Sequence, residues 1–371
     1  MRFLVLLFAL LACPAAYAAD AAAGTDAVPA TAYFPVMPLD APDSATPQVV
    51  PIAANHPIGG AHPGITRAII VIHGQTRDAN AALGMMSALA GADNATTMII
   101  APQFLLPSDI ARVAAHLPNQ GRGIATWRAG DWPVGGNSLA ARPQDAVSSY
   151  TVVDLLAMYA SDHDSFPDIR NIAIAGFGTG AVFVQRYAAF SKAIDALEQE
   201  NIDLRFIVAD APSYLYLTDT RPPDPAGKGG HKGFWRPDPT QCLGFDDYPY
   251  GLDKLPPYAQ RTGANAAKVN YALRFITYLN APPSAADASP DTVPDAGCAA
   301  MLQGRDAASR AALFKAYMDM LYSNVAAKTQ IFATVPKTPD DAIGLFGSNC
   351  GMSALFGDGT CPQAILGPQI H

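Results

Sequence analysis

Six short, unbroken apolar runs punctuate the chain. They are Ala68-Ile69-Ile70-Val71-Ile72, Thr97-Met98-Ile99-Ile100-Ala101, Ile172-Ala173-Ile174-Ala175, Phe206-Ile207-Val208-Ala209, Phe275-Ile276-Thr277-Tyr278-Leu279 and Gln330-Ile331-Phe332-Ala333-Thr334-Val335. Runs of this length that are continuously apolar, rather than alternating, predict strands buried on both faces, as in a parallel sheet. Helical patterns lie between them. Over residues 145–160, Tyr150, Val153, Leu156 and Tyr159 form one stripe; residues 181–190 follow the third run directly. Over 307–325, Phe314, Tyr317, Met318, Leu321 and Val325 recur at spacings of three and four. Strands alternating with helices predict an α/β fold, a mainly parallel sheet with helices on both faces. Residues 19–65, rich in Ala, Pro, Asp and Gly and without periodicity, read as an extended leader or linker ahead of one domain over 66–371. Two Pro- and Gly-rich stretches, 221–240 and 281–297, read as long decorating loops.

The first residues carry a different pattern. Met1-Arg2, an apolar run from Phe3 to Ala12 and the small-residue end Ala16-Tyr17-Ala18 make 1–18 a secretory signal peptide. The run is too short to span a bilayer, and no later stretch approaches that length, so no transmembrane segment is expected. Leu10-Leu11-Ala12-Cys13 also resembles a bacterial lipobox, which would put a lipid anchor on Cys13. Cleavage after Ala18 and lipidation at Cys13 both place the protein outside the cytoplasm, in the periplasm or beyond. Cys242, Cys298, Cys350 and Cys361 come later, an even number that fits two disulfides in an exported chain. Cys350 and Cys361 close a short loop, and Cys242 with Cys298 is the remaining pair; spacing does not fix connectivity, and four free thiols is the alternative.

Composition narrows the function classes. The 371 residues are 50% hydrophobic and only 15% charged, which excludes a disordered chain. With 24 Lys and Arg against 32 Asp and Glu, the net charge of −8 argues against binding to nucleic acid. The partner left in view is a small-molecule or protein ligand of unknown identity. No metal or cofactor motif is visible: Gly176, Gly178 and Gly180 lack the Lys and the spacing of a phosphate loop, and Asp162-His163-Asp164 reads as a solvated turn. Asp246-Asp247 and Asp340-Asp341 read as surface acidic pairs.

The chemistry-bearing pattern lies where runs end. The first run leads into His73-Gly74-Gln75, and the third into Gly176-Phe177-Gly178-Thr179-Gly180, with a helix starting at once. A strand, a tight G-x-x-x-G turn and a helix form the context of a nucleophile elbow. The backbone N–H groups of Gln75 and Thr179 are then candidates for an oxyanion hole. On these residues, together with Ala101-Pro102-Gln103-Phe104, Val184-Gln185-Arg186-Tyr187-Ala188, Pro212-Ser213-Tyr214-Leu215-Tyr216-Leu217, Cys242 through Leu252, and Cys298-Ala299-Ala300-Met301, the chain resembles the α/β-hydrolase family over about 65–360. Secreted bacterial lipase- or esterase-like members are the nearest likeness.

The resemblance implies a triad of nucleophile, acid and His, and the sequence departs from it at each place. The elbow centre is Gly178, without a side chain. The acid position falls at Ser284, with Asp287 slightly late. The His position, aligned on V-P-G-x-G-H-D, is Pro339, and no histidine lies between His231 and His371. A residue with a Cβ is strained by ~1–3 kcal/mol at an elbow, whereas glycine is not, so replacing serine by glycine relieves strain that only catalysis justifies. Thr179 as a substitute nucleophile and His73 as a displaced base are weaker readings, because the motif assigns both to structural backbone roles. The leading expectation is an exported, catalytically inactive α/β-hydrolase-like binding protein. The alternatives are an active serine-type esterase with relocated groups and an envelope-associated scaffold. Trp127, Trp132, Trp235, Tyr248 and Tyr250 either line a ligand cleft or anchor loops.

Overall fold

Side chains alternate across a strand, so each continuous apolar run supplies two faces at once, and this one fact organises the molecule. In the computed structural model, which describes residues 30, 32–38, 47–114, 117–223, 233–282, 295–335, 341–357 and 360–362, the runs form a single sheet. Its strands are β1 (Ala32–Val36), β2 (Gln48–Ala54), β3 (Arg67–Ile72), β4 (Thr97–Pro102), β5 (Asn171–Phe177), β6 (Asp203–Ala209), β7 (Phe275–Asn280) and β8 (Gln330–Thr334). They lie in the order β1-β2-β4-β3-β5-β6-β7-β8. The two pairings made by β2 are antiparallel, and every pairing from β4 to β8 is parallel.

The helices are α1 (Ala79–Ala90), α2 (Pro107–Val113), α3 (Ser149–Ser161), α4 (Thr179–Phe190), α5 (Ala193–Gln199), α6 (Pro257–Leu273), α7 (Cys298–Met301), α8 (Ala307–Thr329), α9 (Ala342–Phe346) and α10 (Asn349–Phe356). One face of the sheet, with Ile70, Ile72, Ile100, Ile174, Phe206 and Val208, packs under α3, α4, α6 and α8. The other, with Ile69, Val71, Ile99, Ala175, Ile207 and Leu279, packs under α1, α9 and α10. All six predicted strands and the three predicted helical stretches are present.

The chain differs from expectation within residues 19–65. This segment supplies β1 and β2, and Val50 and Ile52 are fully buried. Pro35 and Pro51 interrupt its pattern, and proline is tolerated in a sheet near an edge, where β1 lies. Helices α1 and α6 were also illegible. The first is Ala-rich with little contrast between its faces; the second starts after Pro256 and carries Gly263 at φ +75° inside it.

The carboxyl ends of β3 and β5 meet at the point where strand order reverses, the place where open α/β sheets bind ligands. There the backbones of β3, β5 and α4 touch. A Cβ on Gly180 would collide with the carbonyl oxygens of Ile72 and His73, and one on Gly176 with the backbone of Gly180. Gly180→Ala is therefore expected to lose about 1–3 kcal/mol or more of stability, as overpacking against rigid backbone does. By contrast, Gly84→Ala in α1, where a Cβ meets nothing within 4 Å, should gain about 0.4–1 kcal/mol. Urea denaturation of both variants beside the parent checks the contrast.

Candidate functional site

The turn between β5 and α4 is built from the backbone up. Gly178 adopts φ 55° and ψ −115°, and its N–H donates to the Ala209 oxygen at the end of β6 (2.9 Å). Its carbonyl starts the helix by accepting from Val182 (3.1 Å). Thr179 is the first helical residue, and the first N–H groups of a helix have no acceptor within it. They carry the positive end of the helix dipole. Gly178 brings no side-chain atom to this turn.

The neighbouring turn after β3 is held rigid by buried polar groups. His73 packs with its ring tilted against Trp132 (ring centroids 4.6 Å) and edge-on to Phe104 (5.6 Å). Its Nδ1 donates to the Gly74 oxygen (2.8 Å), and its Nε2 accepts from the Phe104 N–H (3.0 Å). Burial, chiefly, lowers its pKa to about 4. Both ring nitrogens are occupied in a neutral, structural imidazole. Arg77 donates to the Gln75 oxygen (2.5 Å) and forms two bonds to Asp109 (2.7 and 3.1 Å). Asp109 also accepts from the Leu106 N–H (2.8 Å) and from Arg112. Burial by itself would raise the Asp109 pKa; Arg77, the Leu106 N–H and Arg112 outweigh it and hold the pKa below its ordinary value.

No protein-family model and no curated protein matches this sequence. Solved structures do. LpqC from Bordetella parapertussis, a poly(3-hydroxybutyrate) depolymerase, superposes with a TM-score of 0.52 at 15% identity, covering 90% of this chain and 94% of that one. Poly(aspartic acid) hydrolase-1 from Sphingomonas sp. KT-1 matches with a TM-score of 0.48 at 18% identity, covering 85% and 96%. The chain has the α/β-hydrolase fold. At such identities the likeness is one of architecture alone.

Within the α/β-hydrolase frame, the structure brings Gly176, Gly178, Thr179 and Gly180 together with the turn that holds Gln75. Cys242 bonds to Cys298 and Cys350 to Cys361. Ser284, Asp287 and Pro339 lie outside the described residues, as do Cys13 and the signal segment. Among the described residues no cluster of His, Cys, Asp or Glu could hold a metal, and no helix is long and apolar enough to cross a membrane. Asp162 caps α3 and accepts from Ser165 (2.6 Å) in an exposed turn.

The aromatic residues left open by the sequence act as anchors. Trp127 and Trp132 are buried. Tyr248 donates to the Val134 oxygen (2.7 Å), Trp235 donates to the Pro222 oxygen (3.1 Å), and Tyr250 bonds to Asp295.

Several residues around the turn carried no sequence signal. Asp210, just past β6, has φ +43° and accepts from the Ala281 N–H with both oxygens (3.0 and 3.1 Å), clipping β6 to β7 beside the elbow. Three fully buried arginines fasten the loops above the carboxyl ends. Arg186 bonds to Ser213 and to the Pro249 oxygen, and Arg221 to Asp246 and to the Phe245 and Tyr250 oxygens. Arg310 bonds to the Pro212, Asp295 and Gly304 oxygens. Only Asp109 left a trace, as the third residue of a helix opening on Pro107. Two cavities lie away from this turn. One of about 180 Å³ sits between Asn137, Ser148, Thr151, Tyr258 and Arg261, and another of about 190 Å³ at the amino ends of β6 to β8.

Helix α4 is tied to α3 and α6 through Asp154, a buried carboxylate that accepts from Tyr187 (2.8 Å) and Tyr258 (2.7 Å). Burial dominates and raises its pKa from 3.8 to about 6. The folded state therefore keeps a proton that the unfolded state loses, and Asp154 lowers stability as pH rises from 3.8 to about 6. His73 acts oppositely: the unfolded chain takes up its proton below 6.5 and the folded one only near 4, so stability rises with pH across that window. The two slopes oppose each other between pH 4 and 6. Asp154→Asn removes one of them. Relative to the parent, the variant is expected to gain about 1.4 kcal/mol per pH unit across the Asp154 window, read from urea denaturation at a series of pH values.

Proposed function

We propose that this is an exported protein of α/β-hydrolase fold that has given up covalent acyl transfer and serves as a binding or scaffold protein. One observation carries the reading. The turn at Gly178 keeps the strand–turn–helix backbone of an elbow, at φ 55° and ψ −115°, but bears no side chain from which a nucleophile could act. Pro339 at the aligned His position and Ser284 at the aligned acid position support it. His73 does not supply a base, because both of its nitrogens are engaged and its pKa is pushed down to about 4. The helix start at Thr179 would still offer N–H donors to a carbonyl or carboxylate of a ligand. The signal-like residues 1–18 and two disulfides support export.

The experiment is a panel of short-chain p-nitrophenyl esters, with purified protein beside a Gly178→Ser, Pro339→His double variant. The parent is expected to show neither turnover nor an acyl-enzyme burst, and the double variant to gain measurable turnover. Gly178→Ser alone should cost about 1–3 kcal/mol of stability, the strain of a side chain at that turn. Hydrolysis by parent protein of established purity would overturn the reading and favour relocated catalytic groups.

A further inference from the structure

The cavity of about 180 Å³ lies where α3 and α6 begin. Among the described residues, its wall carries one formal charge, the Arg261 guanidinium, and no acidic side chain. Beside it stand the amides of Asn137 and Gln144 and the hydroxyl of Thr151. Two carboxylates sit close by in the chain, and both are engaged elsewhere. Asp145 accepts from Arg142 (2.7 and 2.8 Å), and Asp154 accepts from Tyr187 and Tyr258. Much of the remaining wall is stiff: Pro38, Pro143 and Pro257 line it, and a proline ring locks its own φ. The space is therefore built before any ligand enters.

Helix α3 has 13 residues and no acidic residue in its first turn, so the positive end of its dipole is left uncompensated by its own side chains. Its cap is fully used: the Ser148 hydroxyl donates to the Gly135 oxygen (2.7 Å) and accepts from the Tyr150 N–H (3.1 Å). Thr151, one turn on, is different. It is 3% exposed and lines the cavity, yet its hydroxyl makes no hydrogen bond among the described residues. The side-chain amide of Asn137 has no partner among them either. A buried hydroxyl left unpaired costs free energy that an acceptor brought into the cavity recovers. A guanidinium has five donors in one plane, enough to serve a ligand beside a protein partner. Its fork matches a carboxylate with two parallel bonds. The volume equals about six waters, which suits a small molecule. We propose that this cavity binds a small carboxylate, with its charge on Arg261, a hydrogen bond from Thr151 and its carbon body against the prolines. The site is separate from the elbow and stands whether or not the elbow has activity.

The test is calorimetric titration of the purified protein with benzoate and with butyrate, beside benzamide and butyramide, their uncharged counterparts. At least one carboxylate is expected to bind with a Kd of about 1 mM, and its amide about tenfold more weakly or not at all. Arg261→Gln should weaken the carboxylate about tenfold, and Thr151→Val several-fold. Arg261 is exposed on its outer side, so its variant is expected to unfold in urea at the same midpoint as the parent. Ala146→Phe, which fills the cavity and keeps the charge, should abolish binding. Absence of binding by both carboxylates at tens of millimolar would overturn the proposal. So would equal affinity for acid and amide, or carboxylate binding that Arg261→Gln and Ala146→Phe leave unchanged, because the ligand would then sit elsewhere.

Discussion

Three backbones meet without side chains between them at the carboxyl edge of this sheet, and the rest of the arrangement depends on that contact. Gly180 lets α4 lie against the last residues of β3, and Gly176 lets β5 approach the same turn. Close packing has no slack for a methyl group here. With α4 so placed, its first N–H groups, the turn after β3 and the end of β6 converge on Gly178. The polar groups around this contact, His73, Arg77, Asp109 and Asp210, bond almost entirely to backbone or to one another. They fix main chain in place, and they remain fully employed whether or not a side chain stands at the elbow.

The central sheet was legible because its strands are buried on both faces and therefore read as uninterrupted apolar runs. The tight turn between β5 and α4 was legible because its glycines mark steric demands, and those demands appear as residue identities. Strands β1 and β2 were not, since Pro35 and Pro51 break the pattern. The packing partners of the site were not legible either. Asp210 acts through the Ala281 N–H and Asp109 through the Arg77 guanidinium, partners that lie near only once the sheet has formed, at sequence separations of 71 and 32 residues. No local pattern encodes such a partner. The same holds for Asp154, whose tyrosine partners come from α4 and from the start of α6.

The loops above the strands obey a different logic from the core beneath. Arg186, Arg221 and Arg310 are buried, and their bonds go mainly to carbonyl oxygens. A guanidinium offers five donors in a fixed plane, so one such side chain can gather several irregular backbone segments whose carbonyls would otherwise be left unpaired. Arg186 gathers backbone, hydroxyl and amide acceptors and Arg310 backbone oxygens and the Met301 sulfur, while Arg221 also bonds to the carboxylate of Asp246. A protein with modest charge content thus spends three of its cations on loop architecture.

The Cys242–Cys298 bond joins the segment after β6 to the start of α7, after β7, and Tyr250 with Asp295 and Arg310 with Pro212 and Asp295 add two further ties between the same regions. Mechanically, the described parts of two excursions from different strands are tied at three places rather than one. Parts so joined cannot separate by losing a single contact; they shift together or stay in place.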